Sequence, residues 1–127
     1  MIRFELVGGL IIVPTRFIYS SQISIEADAI VDTGSAGTAL DTTLVELDRT
    51  IPSRICEIVG VGGNQDVVIQ EIDAVLFGNY RTNRVEVEFG DITSVFCFSA
   101  IIGSDLLDAL GACIDYYTKE IRIARTN

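Results

Sequence analysis

Val85, Val87 and Phe89 alternate with Arg84, Glu86 and Glu88, and Ile23, Ile25 and Ala27 alternate with Ser24, Glu26 and Asp28. A period of two puts every second side chain on one side of an extended strand, so each segment has one apolar and one wet face. Residues 10–19 and 67–77 are rich in β-branched and aromatic residues, and Gly78-Asn79 marks a turn between the second of these and the next strand. Residues 112–116 and 120–124, joined around Thr118-Lys119, read as a terminal pair of strands. Helical signals are few. Residues 41–47 allow a short helical turn, and Ser104 is placed to cap a helix over 105–110 that Gly111 would stop. The pattern predicts an all-β chain: a compact, antiparallel, barrel-like lobe with one short helix near its C-terminus. With 127 residues and no linker, repeat or low-complexity segment, residues 1–127 are expected to form a single domain with its own core.

Charge and residue types exclude several functions. A net charge of −9 repels a phosphate backbone, and no basic patch interleaved with aromatics offsets it, so nucleic acid is not an expected partner. Histidine is absent, which removes Ser-His-Asp and Cys-His nucleophilic machinery. Cys56, Cys97 and Cys113 are odd in number and lack metal-ligand spacing; they predict no disulfide framework and read as small buried residues in a reducing compartment. The longest apolar stretch, residues 6–13, is broken by Gly8-Gly9, ends at Pro14, and is far shorter than the roughly 18 residues of a membrane span. Glu5 sits where a secretory leader would be basic. A cytoplasmic location away from the membrane is the expectation. Hydrophobic residues make up 49% of the chain and mean hydropathy is +0.43, enough apolar character to leave surface for a partner.

The chemistry concentrates in one string. Asp32-Thr33-Gly34-Ser35 follows the apolar run Ala29-Ile30-Val31, which presents a single carboxylate on a tight turn at the end of a buried strand. Gly60-Val61-Gly62-Gly63 stands in mid-chain, and Ile101-Ile102-Gly103-Ser104-Asp105-Leu106-Leu107 near the end. Asp-Thr-Gly alone recurs by chance. The three segments in this order and spacing resemble the retropepsin-like aspartic proteases, and the resemblance runs over most of the chain. It implies an acid-protease fold, a closed β-barrel lobe with one short helix, acting as an aspartic endopeptidase. Two carboxylates must share one proton in such an enzyme, because like charges so close cannot both ionise, and this chain holds one such motif. A homodimer is therefore required. One Asp32 draws a proton from bound water while the other, protonated, polarises the scissile carbonyl.

By the same resemblance, the Thr33 hydroxyl bonds across the two-fold axis to the opposite loop. Gly34 lets its N–H approach the Asp32 carboxylate, which a Cβ would hinder. The Ser35 hydroxyl is expected to donate to the outer oxygen of Asp32 and so to shift the activity optimum toward acid. Val59, Gly60, Val61, Gly62 and Gly63 correspond to the tip of a flap that closes over substrate, with Leu40, Val59 and Val61 as apolar lining. A phosphate-binding loop is excluded there, since no Gly-Lys-Ser/Thr follows and Asn64-Gln65-Asp66 is acidic. Ile101 and Ile102 are expected to pass beneath the catalytic loop, with Gly103 allowing close packing and Asp105 serving the helix rather than catalysis. Retroviral members join loop and helix by an acid–arginine pair; Ala36 and Ser104 occupy those positions here. The implied substrate is an extended peptide or protein segment with hydrophobic residues near the cut, with no metal or organic cofactor. The competing readings are a non-catalytic retropepsin-like dimerisation or peptide-binding module, and a plain β-barrel interaction domain.

Overall fold

The computed structural model describes residues 1–60, 63–94 and 97–124. In chain order the strands are β1 (Ile2–Arg3), β2 (Glu5–Val7), β3 (Leu10–Ser20), β4 (Ile23–Val31), β5 (Thr38–Asp41), β6 (Ser53–Gly60), β7 (Gly63–Phe77), β8 (Tyr80–Gly90), β9 (Ala100–Ile102), β10 (Ala112–Asp115) and β11 (Glu120–Ile123). A 3-10 turn covers Thr42–Leu44, and the one α-helix described, α1, covers Ser104–Leu110.

Six strands close into a barrel in the order β3-β4-β9-β5-β8-β7, and β7 returns to β3 through Thr15↔Phe77 to Ile18↔Ala74. Closure leaves no free edge among these strands, which is how a small all-β chain avoids exposing unpaired backbone. The long strand β7 extends past the barrel wall. Its first half pairs with β6 from Ser53↔Gln70 to Gly60↔Gly63 and forms a projecting hairpin. A smaller sheet, β1-β11-β10, packs beside the barrel.

The antiparallel expectation holds for the hairpins but not at the centre. There β4 runs parallel to β9, and β5 parallel to β8. Parallel neighbours need long connections, and the chain supplies them, since residues 32–99 separate β4 from β9 and residues 42–79 separate β5 from β8. Gly8-Gly9, which interrupts the apolar run, turns the β2–β3 hairpin with φ of +59° and +82°, values matched to the twist of two-residue hairpins. Gly78, at φ +59°, also clears Ile2, whose Cγ1 would lie 2.8 Å from an added Cβ.

One cluster forms the core. Val13, Phe17, Tyr19, Val75, Phe77, Val85, Val87 and Phe89 fill the barrel, and Tyr19 meets Phe89 edge-on with centroids 5.8 Å apart. Leu106, Leu107 and Leu110 close one side from α1, while Gly111 ends that helix at φ 60°. Ser104 is not the cap: Gly103 occupies that position, and Ser104 is the first helical residue. The Ile23-Ile25-Ala27 face is only partly covered, with Ile23 41% exposed. All three cysteines are free and exposed, so the expectation that they are small buried residues is corrected. The segment around Cys56 lies on the hairpin beyond the core, and Cys113 on the outer strand β10.

A buried carboxylate organises the loops at one barrel end. Asp41 is 1% exposed and accepts from the N–H groups of Ile92 (2.8 Å), Thr93 (2.9 Å) and Thr43 (3.1 Å), and from the Thr43 hydroxyl. Burial alone would raise its pKa, but the bonds from Thr43, Thr93 and Ile92 outweigh burial and hold it below its ordinary value of 3.8. The stability it contributes is therefore present above pH 3.8 and is lost as pH falls toward the lowered folded value. Asp41→Asn keeps the shape but sets an amide N–H₂ against donors. It is expected to cost about 2–3 kcal/mol at neutral pH. Urea denaturation at pH 7 and in stronger acid checks both points, since the gap to wild type narrows as the pH drops.

Candidate active site

Strand β4 is buried at Ala29, Ile30 and Val31 and ends where Asp32 begins a turn. The Asp32 N–H donates to the Ile102 carbonyl at 3.0 Å, which continues the parallel β4–β9 ladder one step past Val31↔Ile102. The Ser35 N–H then returns to the Asp32 carbonyl at 3.1 Å and closes the turn. Within it the Gly34 N–H donates to Asp32 Oδ1 at 2.9 Å, and a Cβ on Gly34 would lie 3.2 Å from that oxygen. The carboxylate is thus held by a backbone donor while its residue stays partly exposed. Thr33 and Gly34 form the exposed tip.

The Ser35 hydroxyl does not donate to Asp32. Its single proton goes to the Gly37 carbonyl at 2.8 Å, inside the same loop, so the expected acid-shifting bond has no donor and Ser35 acts to shape the loop. The cause is local: the turn folds the chain back after Gly34 and brings the Gly37 carbonyl within reach of the side chain.

Loop and helix are fastened without the absent ion pair. The Ser104 hydroxyl donates to the Thr33 carbonyl at 2.8 Å, the Ser104 N–H to the Ser35 carbonyl at 2.7 Å, and the Asp105 N–H to the Ala36 carbonyl at 3.2 Å. Asp105 in turn accepts from the Thr38 hydroxyl (2.8 Å), the Thr38 N–H (3.3 Å) and the Leu106 N–H (2.7 Å). The Thr38 hydroxyl also accepts from the Gly103 N–H at 3.2 Å. Gly103 is packed directly on this loop, and an added Cβ there would meet the Gly37 carbonyl oxygen at 2.2 Å. Ile101, Ile102 and Gly103 thus adjoin Asp32-Thr33-Gly34-Ser35 as one assembly. Thr38 and Asp105 were outside the residues expected at the site; a Thr and an Asp 67 positions apart carry no local signal.

The hairpin β6–β7 carries the glycine-rich segment. Val59 pairs with Asn64 and Gly60 with Gly63, which has φ +111°, a value that favours glycine. Val61 and Gly62 lie outside the described residues. Leu40 is not a lining residue: it is 1% exposed, in the core. Parity explains the error, because Leu40 pairs with Phe89 on the inner face and its neighbour Ala39 takes the outer one. A cavity of about 530 Å³ opens over Pro14, Arg16, Asp28 and Asn79 and includes none of residues 32–38.

Among the described residues, no group of three or more Cys, Asp or Glu is close enough to hold a metal, and no helix is long and apolar enough to cross a membrane. Compared with known proteins, the chain matches no family model and no curated relative.

Proposed function

We propose that this chain is a retropepsin-like aspartic endopeptidase that works as a homodimer. The observation that carries the reading is the Asp32 carboxylate, fixed by the Gly34 N–H on a loop bonded to β9 and α1, at the exposed tip of a barrel that also bears a projecting glycine hairpin. A single carboxylate held this way suits one half of a proton-sharing pair. Thr33 supports the same reading. It is exposed, and among the described residues its hydroxyl makes no bond within the chain, so it is available to a second copy.

In the dimer the ionised Asp32 takes a proton from water, and the protonated Asp32 donates toward the scissile carbonyl oxygen. Water attacks the carbonyl carbon directly, and no covalent enzyme intermediate forms. The substrate lies extended across the cleft under the hairpin, held by main-chain bonds while side pockets read alternate residues. Hydrophobic residues flank the cut. With three unpaired cysteines and no membrane-spanning helix among the described residues, the reducing cytoplasm fits this enzyme.

The test is cleavage of a diverse peptide library across pH at several protein concentrations, with pepstatin as inhibitor and light scattering for mass. Specific activity should rise with concentration as dimer forms, and pepstatin should abolish it. Full activity in a strict monomer would sink the proposal, while peptide binding without cleavage would identify a retropepsin-like binding module instead.

A further inference from the structure

The sheet register defines which face carries the site. Ile30 pairs with Ile101, Ile101 with Ala39, Ala39 with Glu88, Glu88 with Ile69, and Ile69 with Arg54. Cross-strand partners share a face, so these residues form one row. Asp32 lies two residues beyond Ile30 and belongs to the same side. The opposite side, with Leu40, Val87 and Phe89, is the barrel core.

Between Ile30 and Arg54, Glu88 is the one acidic member of that row. Its carboxylate is half-buried and fills the space over Gly37, where Oε2 would lie 1.7 Å from an added Cβ. Among the described residues no hydrogen bond or ion pair reaches it. Arg54, the cation whose charge acts on it, is taken by Glu86 at 2.7 Å, and Asp105 is occupied by Thr38 and Leu106. Around it, Ala39, Ile69 and Ile101 give a partly covered apolar floor.

We infer that Glu88 reads a lysine or arginine side chain on a peptide bound in the cleft. The apolar floor would take the aliphatic stem, and the unpaired carboxylate over Gly37 the charged head. This rests on the reading of Asp32 as the catalytic half-site. Burial, and then the charge of Asp105, raise the Glu88 pKa against the opposing pull of Arg54. A cation brought by substrate would offset that cost, and the preference should fade in acid as Glu88 takes up a proton ahead of ordinary glutamates.

The test uses octapeptides that differ only by lysine or norleucine at one scanned position. Binding to the Asp32→Asn protein is read by fluorescence anisotropy, and cleavage by the Asp32 protein is read in parallel. At one position lysine should bind about tenfold tighter than norleucine, with the ratio falling close to one in Glu88→Gln. Glu88→Lys should prefer glutamate over norleucine at the same position. A ratio near one at every position, or a ratio unmoved by Glu88→Gln, overturns the inference. A lysine preference in binding without any cleavage would leave Glu88 in place and remove the protease reading. Cleavage without lysine preference would do the reverse.

Discussion

Asp32→Asn is expected to reduce peptide hydrolysis by roughly 10⁴-fold or more, with the fold and the dimer intact. Each general acid or base contributes about 10²-fold at least, and in a homodimer one substitution removes both. The fold should survive because Asp32 Oδ1 accepts one internal bond, from the Gly34 N–H, and an amide oxygen accepts it equally well. Stopped assays on the most readily cut library peptide, beside thermal denaturation and light scattering, check the three statements. Undiminished, pepstatin-sensitive cleavage by the purified variant would remove Asp32 from the mechanism.

Gly103→Ala should do the larger structural damage. The added Cβ would stand 2.2 Å from the Gly37 carbonyl oxygen, 2.6 Å from its carbon and 2.8 Å from the Ser35 carbonyl oxygen. All three are backbone atoms, so no side-chain rotation relieves the clash. Nor can the loop retreat freely, since bonds from the Ser104 and Asp105 N–H groups tie it to α1. The backbone of Gly103 is itself ordinary extended chain, at φ −97° and ψ −177°, so the constraint is space rather than conformation. The cost should reach about 3 kcal/mol or more, the upper end for overpacking. That corresponds to a fall of about 10 °C or more in Tm, measurable by circular dichroism. Where the variant still folds, amide shifts in residues 34–38 should exceed those in β3. A variant as stable as wild type, with that loop unmoved, would contradict the packing described.

The same distinction between local and distant causes explains what could be anticipated. The burial of Val85, Val87 and Phe89 was legible because alternation is a property of one strand, and Gly111 was legible as a helix stop because a C-cap is set within a turn. Asp32 and Gly34 stand two residues apart, so their contact also follows from local geometry. Ser35 shows the limit: its neighbours in sequence offer both the Asp32 carboxylate and backbone carbonyls as acceptors, and the path of residues 35–37 selected the Gly37 carbonyl. Leu40 and Ala39 are both apolar, and only pairing with β8 and β9 decides which one meets the core.

The bonds that Asp41 and Thr38 make, and the tie from Asp105 to Thr38 beyond its expected service to the helix, could not be read for a related reason. Each is an unremarkable polar residue until a segment far along the chain supplies its partners: Ile92 and Thr93 for the first, and each other for the second pair. Glu88 followed its alternation faithfully as a wet position, yet alternation does not say that the wet face is the one bearing Asp32. Short-range pattern set the strands, their apolar sides, the turns and the location of the reactive string, because these depend on neighbours within a few residues. Barrel closure, the parallel pairings at its centre, the fastening of loop to helix and the face shared by Asp32 and Glu88 depend on register between remote strands. That register is set by how the whole core packs.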